Sequence, residues 1–423
     1  MRSTPKGLRL HIALFGRRNV GKSSLLNALT RQQVSIVSDV AGTTTDPVEK
    51  PMELLPLGPV LFIDTAGVDD TGALGEMRVQ KTRAILDRTD LALLVVAGAA
   101  WGEFEEEILA ELESRGVPVI VVWNKADLAT PAAAVTQRLA ERKIPTVSTV
   151  ASRGEGIDGL RAEMIRSAPE EFINPPTILG DLIGPGDPVV LVVPIDQEAP
   201  KGRLILPQVQ TIRDLLDADA WCLVVKEREL REALDSLRKK PALVVTDSQA
   251  FLKVAGDTPD DVPMTSFSIL MSRYKGDLTE FARGANAIGR LRSGDRVLIA
   301  DACSHHPIGD DIARVKIPRW LTQYVGGKLE FTNTQGRDWP DDLESYRLVV
   351  HCGACMWNRR EVLARVLRAR RAQVPITNFG MAIAWSLGVF ERALAPFPAA
   401  LEAYREARGR PPAEAETREN AGT

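Results

Sequence analysis

The chain has 423 residues, 44% of them hydrophobic and 26% charged, which calls for two or three globular domains rather than a single core. A net charge of −3 gives no electrostatic reason to expect nucleic acid or an anionic membrane as partner, and no apolar run approaches the roughly 20 residues that span a bilayer. With only four cysteines and no basic-then-apolar leader, a disulfide-built exported protein is not expected, and the cytoplasm is the expected compartment.

"LRLHIALF" (8–15) predicts a buried strand, "GRRNVGKSS" (16–24) a glycine-rich turn, and "LLNALTRQ" the start of a helix. Strand, turn and helix in that order are the setting of the phosphate loop G-x-x-x-x-G-K-S/T. Gly16 and Gly21 let the backbone curl so that N–H groups and the helix N-terminus face phosphates, with Asn19, Val20 and Ser24 counted in the same loop. Lys22 carries a positive charge toward the β- and γ-phosphates, and Ser23 offers a hydroxyl to Mg²⁺.

Further along, "VLFIDTAGV" (60–68) and "VPVIVVWNKADL" (117–128) each predict a strand running into a polar loop. An Asp carboxylate such as that of Asp127 accepts two hydrogen bonds from guanine N1–H and N2–H₂, a pair adenine does not offer. The two stretches resemble the DxxG and NKxD elements of GTPases. The resemblance implies GTP as ligand, with Asp64 holding Mg²⁺ through water, the Gly67 N–H sensing the γ-phosphate, and Asn124, Lys125 and Asp127 reading the base. The guanine-edge loop is expected within "STVASRGEGIDGL" (148–160), where the usual Ser-Ala pair reads Val150-Ala151. That keeps a backbone contact and loses a hydroxyl.

"AGTTTDP" (41–47) resembles switch I of the TrmE/Era group, which implies that Thr45, or else Thr44, completes the Mg²⁺ shell. Asn19 matches the residue that in TrmE-like enzymes helps hold K⁺ beside the phosphates; a loop-capping amide is the alternative. Val68 stands where Ras-like enzymes carry a water-positioning Gln. Glu76 falls where TrmE-like proteins keep an acidic residue that orients the attacking water, an exposed carboxylate being the alternative. Slow, K⁺-stimulated GTP hydrolysis follows, with Lys22, Thr45, Gly67 and Glu76 as its catalytic residues.

"SAPEEFINPPTILGDLIGPGDP" (167–188) is dense in Pro and Gly and predicts a linker. Strand and helix patterns then alternate through "VVLVVPI" (189–195), "LPQVQTIRDLLDAD" (206–219), "WCLVV" (221–225), "ERELREALDSLRKK" (227–240) and "ALVVTDS" (242–248), predicting a small α/β domain without a site. Such a domain between two busier ones suggests an interface. Cys222, in a strand pattern, is expected to be a core thiol.

From about residue 270 the pattern changes. "DRVLIADACSHHP" (295–307) is a strand emptying into a loop with Cys303, His305 and His306; "YRLVVHCGACM" (346–356) repeats the arrangement with His351, Cys352 and Cys355. Ligands collect beyond the carboxyl ends of strands in open α/β sheets. Neighbouring strands would therefore bring three thiols and up to three imidazoles together. A Cys₃His zinc site and an iron–sulfur cluster on three Cys both fit this set.

Taken together, Cys303-x-His305 followed by His351-Cys352-x-x-Cys355, behind a TrmE-like G domain and ahead of "VPITNFGMAIAWSLG" (374–388), closely resembles the [FeFe]-hydrogenase H-cluster maturation GTPases, the HydF family. The resemblance implies an α/β protein of three domains. A P-loop GTPase domain (1–170) and a linker (171–188) precede a dimerisation domain (189–268) and a cluster-binding domain (269–407). The tail (408–423) is expected to be disordered. It implies a [4Fe–4S] cluster on Cys303, Cys352 and Cys355, a homodimer, and a scaffold that receives a [2Fe] subcluster from radical-SAM maturases and delivers it to apo-[FeFe]-hydrogenase. The fourth iron ligand stays open among His351, His305, His306, a late carboxylate such as Glu391 or Glu402, and water. The alternative is a TrmE/Era-type GTPase with a structural zinc site, acting in RNA modification or ribosome assembly.

Overall fold

The structure is a computed structural model that describes residues 4–30, 48–54, 58–65, 82–173, 176–194, 204–302 and 311–409. Thr44, Thr45, Gly67, Val68, Glu76, Cys303, His305, His306 and the tail beyond 409 lie outside them. The chain divides between Pro176 and Thr177 into two compact units.

In the first unit β1 (Leu10–Phe15), α1 (Lys22–Thr30), β2 (Val48–Leu54), β3 (Gly58–Asp64), β4 (Leu91–Ala97) and α2 (Glu103–Ser114) come first. They are followed by β5 (Val119–Asn124), α3 (Ala133–Glu141), β6 (Thr146–Thr149), α4 (Ile157–Ser167) and α5 (Glu170–Ile173). One sheet has the order β2-β3-β1-β4-β5-β6, with β2 antiparallel and the other strands parallel. The two-residue period of a strand sends Leu10, Ile12 and Leu14 to one face, against Leu25, Leu26 and Leu29 of α1 and Leu160 and Met164 of α4. Ala13 and Phe15 go to the other face, against Leu109 and Leu112 of α2 and Leu139 of α3. Burial on both faces is why these strands read as unbroken apolar runs. Four of the parallel strands, β1, β3, β5 and β6, empty into the loops in which sequence placed the nucleotide.

In the second unit the strands are β7 (Pro188–Val192), β8 (Trp221–Val225), β9 (Leu243–Thr246), β10 (Met264–Ser266), β11 (Arg296–Asp301), β12 (Glu330–Gln335), β13 (Leu348–His351) and β14 (Ile376–Asn378). Its helices are α6 (Leu206–Asp217), α7 (Leu230–Ser236), α8 (Phe251–Asp257), α9 (Phe267–Lys275), α10 (Leu278–Ala285), α11 (Ile317–Val325), α12 (Arg359–Arg371), α13 (Phe379–Ser386), α14 (Phe390–Leu394) and α15 (Pro398–Gly409). Two parallel sheets, β10-β9-β7-β8 and β12-β11-β13-β14, share one apolar core that runs from Ile178 to Tyr404. Helix α9, capped by Ser266, packs against α6, α12 and α13 and so binds the two sheets together. The Ser268 hydroxyl oxygen accepts from Asn378 Nδ2 at 2.9 Å and from the Gly380 N–H at 3.2 Å.

Within the Pro/Gly-rich segment, the part after Pro176 is tied to the second unit. The Asp214 carboxylate of α6 accepts the N–H groups of Ile178, Leu179 and Gly180 at 2.8–3.0 Å. One expectation needs correcting. β8 is an edge strand paired with β7, so Cys222 is half-buried rather than a core thiol, and Trp221 and Val224 are 45% and 41% exposed. An apolar run does not say whether its strand has one neighbour or two.

Candidate functional site

The first site is the loop cluster beyond β1, β3, β5 and β6. Gly16 and Gly21 have φ of +146° and +94°. A side chain at either would collide, since a Cβ on Gly16 would stand 2.2 Å from the Val95 oxygen and one on Gly21 2.3 Å from Asn124 Nδ2. Lys22 is buried, and its Nζ donates to the Gly16 and Arg17 carbonyls at 2.6 and 2.7 Å, so the ammonium lies inside the loop it is expected to serve. Ser23 Oγ donates to Asp64 Oδ2 at 2.8 Å. Burial raises the Asp64 carboxyl above its usual range against the opposing pull of Ser23 and Lys22. Hydroxyl and carboxylate are hard oxygen donors of the kind Mg²⁺ takes, and the fold brings these two together.

Asn124 is the hub of the base side. Its Nδ2 donates to the Val20 carbonyl at 2.9 Å, while its Oδ1 accepts from Thr149 Oγ1 and from the Ala151 N–H, both at 3.1 Å. One amide thus joins phosphate loop, NKAD loop and guanine-edge loop. Lys125, in a left-handed conformation (φ +55°), donates from Nζ to the Asn19 carbonyl at 2.7 Å; Asn19 is itself left-handed (φ +60°) and exposed. Sequence reasoning missed Arg17. Its guanidinium makes two 2.8 Å bonds to the buried Glu105 carboxylate, which also caps α2 through the Gly102 N–H. This pair tethers the phosphate loop to the start of α2.

The second site lies beyond β11 and β13, which are parallel neighbours with Ala300 opposite His351. The Cys352 N–H donates to the Ala300 carbonyl at 2.9 Å, and the Ala302 N–H points at Cys352 Sγ at 3.1 Å; the Ala354 N–H approaches the same sulfur at 3.4 Å. Cys303 is the next residue after Ala302. Without a metal the Cys352 thiol is pushed up to about 12, by burial first and then by Asp301. The site therefore holds a protonated thiol that metal binding would deprotonate, with two N–H donors ready for the thiolate. A soft sulfur donor with two N–H groups aimed at it fits a thiolate-held metal, an iron–sulfur cluster or zinc alike.

His351 is fully buried. Arg365 Nη1 lies 3.1 Å from its Nε2, and its Nδ1 lies 2.7 Å from the Cys352 carbonyl. A guanidinium only donates, so Nε2 is the acceptor and the ring proton sits on Nδ1, bonded to the carbonyl. Burial, and secondarily Arg365, lower the imidazole to about 3. Both ring nitrogens are committed, and the ring holds the Cys loop. Arg365 is sandwiched between indoles, 4.6 Å from the Trp339 ring centre and 4.2 Å from that of Trp357. From below, the buried Lys275 donates to the Cys355 carbonyl at 2.9 Å and to that of Trp357, while Arg359 Nη1 reaches back to the Tyr274 and Gly276 carbonyls at the end of α9. Sequence reasoning missed both Lys275 and Arg365: Lys275 comes from a helix 80 residues before Cys355, and Arg365 stands 14 residues after His351 on the helix that follows the cysteine loop. Of the late carboxylates, Glu391 is paired with Arg405 and Arg408 on a separate cleft of about 620 Å³, and Glu402 is exposed.

The hydrogen maturase F tetramerization domain matches residues 279–396, and the hydrogen maturase F dimerization domain matches residues 178–276. Together they span more than half of the chain. The chain belongs to the hydrogen maturase F family. Ahead of the two maturase domains, the profile of a 50S ribosome-binding GTPase matches residues 11–125. Over 160 residues the chain is 39% identical to the tRNA modification GTPase MnmE of Burkholderia lata, covering 38% of this chain and 34% of that protein. Over 163 residues it is 40% identical to MnmE of Nitrosomonas europaea, covering 38% and 35%. The chain thus spans about a third of the length of these curated relatives. A crystal structure of an Era variant from Aquifex aeolicus bound to GDP and aluminium fluoride is 22% identical, covering 58% of this chain and 97% of that one, with a TM-score of 0.34. In this hydrogen maturase F chain the N-terminal unit is a GTPase domain. Among the described residues no helix is long and apolar enough to cross a membrane.

Proposed function

We propose that the protein is a GTP-hydrolysing scaffold of [FeFe]-hydrogenase maturation. It holds a [4Fe–4S] cluster on Cys303, Cys352 and Cys355 and passes a diiron subcluster, its cargo, from radical-SAM maturases to the apo-hydrogenase. The observation that carries this reading is the pairing of β11 with β13, which sets the N–H of Ala302, covalently joined to Cys303, on the sulfur of Cys352. In the first unit Lys22, Ser23 and Asp64 would hold GTP and Mg²⁺ together with Thr45, and Asn124 and Asp127 would read guanine. Asn19 would bind the stimulating K⁺, Gly67 would sense the γ-phosphate, and Glu76 would orient water. His351 would hold the cysteine loop, leaving the fourth iron position to an exchangeable ligand.

The homodimer is proposed to form through β8. This edge strand exposes Trp221 and Val224, and α6 beside it exposes Val209 (48%) and Leu216 (54%), all within the segment matched by the dimerization domain. An apolar strand edge of that kind is a template for pairing with a second chain. The test is maturation of apo-hydrogenase with purified components: Cys303→Ser, Cys352→Ser and Cys355→Ser each fail while GTP hydrolysis survives. Cysteine variants that still mature the hydrogenase would end this reading.

A further inference from the structure

A carboxylate that reads guanine must present both oxygens to the base edge at once, to N1–H and to the N2 amino group. The Asn124 hub does not extend to Asp127. That side chain is about a quarter exposed, and Val150, in the facing loop, brings no hydroxyl to it. What the carboxylate does have is Arg153. Arg153 Nη2 donates to Asp127 Oδ2 at 3.0 Å, and Nη1 stands 3.7 Å from Glu155 Oε1.

Local structure explains how Arg153 comes to be there. Ala151–Arg153 form a single 3₁₀ turn that ends at Gly154 in the left-handed region (φ +74°). Val150 and Glu155 close the base of this loop by exchanging N–H···O bonds of 3.0 and 3.3 Å, which fixes the turn that carries Arg153. On the other side, the Leu128 N–H bonds the Lys125 carbonyl at 3.0 Å, which fixes the turn that carries Asp127. Two short closed turns thus face each other through one ion pair.

We propose that Arg153 is a positioning residue for guanine recognition: it holds the Asp127 carboxylate in the orientation that meets N1–H and the N2 amino group together. A carboxylate has about four lone-pair sites, so one bond from Arg153 to Oδ2 leaves both oxygens able to accept from the base. The size of the effect follows from exposure. Arg153 is 60% exposed, and an ion pair of that kind sets a two-point contact rather than providing the bulk of the affinity. Its removal leaves the carboxylate charge in place and loosens its aim.

The experiment measures equilibrium binding of GTP and of ITP, which lacks the N2 amino group, to the full chain and to Arg153→Ala and Arg153→Lys. Arg153→Ala is expected to weaken GTP about two- to five-fold, the scale of an exposed pair, and ITP by less, so that the preference for GTP over ITP narrows. Arg153→Lys, which keeps a cationic donor, retains part of the preference. Equal loss for both nucleotides would mean a merely structural role and overturn the proposal. Unchanged or tighter GTP binding in Arg153→Ala would overturn it too, since Arg153 would then be irrelevant or a competitor of the base. Failure of the unaltered chain to bind GTP would instead refute the reading of the first unit as a guanine-nucleotide site, a separate result.

Discussion

Lys22 in the first unit and Lys275 in the second are both buried ammonium groups, and each donates to two backbone carbonyls of a loop. Lys22 holds Gly16 and Arg17 from within the loop itself, at the N-terminus of a helix where anions are favoured. A phosphate can take its ammonium over, so its carbonyl bonds are provisional. Lys275 comes from the end of another helix and holds Cys355 and Trp357 from beneath, locked in place by Arg359. Its bonds are part of the fold. The same contact therefore serves a ligand in one unit and a scaffold in the other, and the two lysines should respond oppositely to substitution.

The largest effect expected is on turnover. Lys22→Ala should lower GTP hydrolysis at least about 100-fold, because the charge that meets the β,γ-phosphates is gone. Its iron content and the unfolding of its second unit should stay those of the unaltered chain. Loss of iron in this variant would break the distinction between the units.

Lys275→Met should do the reverse. Two carbonyls, that of Trp357 buried and that of Cys355 partly so, lose their donor at about 1–3 kcal/mol each, so the second unit should lose about 2–6 kcal/mol in denaturant unfolding and retain iron poorly. GTP hydrolysis by the first unit should continue.

How much of this was legible beforehand differs between the two sites for a physical reason. The phosphate loop, the NKAD stretch and the loop of Cys352 and Cys355 were legible because each needs its residues close together on one turn of chain, while the loop of Cys303 lies outside the described residues. The matching strand-then-loop layout allows β11 and β13 to be neighbours without requiring it, and the pairing itself comes from the structure. Arg153 on Asp127, Lys275 under Cys355 and the Trp339–Arg365–Trp357 stack are contacts between separate turns or helices, and a sequence carries no spacing for them. The edge position of β8 was hidden for a related reason, since "WCLVV" is equally apolar with one neighbour or two.

A smaller effect sharpens the comparison inside the cysteine site. Arg365→Lys keeps a charge but loses the planar stack between two indoles and the fork that reaches His351 and the Gly336 carbonyl. It should cost the second unit about 1–2 kcal/mol. In the unloaded protein, nitrogen NMR of His351 should keep the Nδ1–H tautomer that the Cys352 carbonyl holds, while the Nε2 resonance shifts as its guanidinium donor is lost. An Nε2 resonance unchanged by the substitution would remove Arg365 from the role assigned to it.

The smallest effect belongs to the first unit in acid. Burial alone would raise Glu49, yet hydrogen bonds from Lys6 and Arg88 outweigh it and hold the carboxyl at about 2. A carboxyl depressed in the folded state contributes stability that is fully present above its unfolded value near 4.5 and is lost as pH falls toward 2. Glu49→Gln should therefore cost about 1–2 kcal/mol at pH 7, allowing for the exposed Lys6, and close to nothing at pH 2. Denaturant midpoints at the two pH values check it.

The most direct test of the scaffold reading is the metal content and electron paramagnetic resonance of protein reconstituted anaerobically with iron and sulfide. The unaltered chain and Lys22→Ala should each hold about four iron atoms and give, on reduction, the signal of a [4Fe–4S] cluster. Cys352→Ser should lose most of the iron, because a hydroxyl replaces a thiolate on a soft metal site. Zinc in place of iron in the unaltered chain, or a full [4Fe–4S] signal surviving in Cys352→Ser, would contradict the reading.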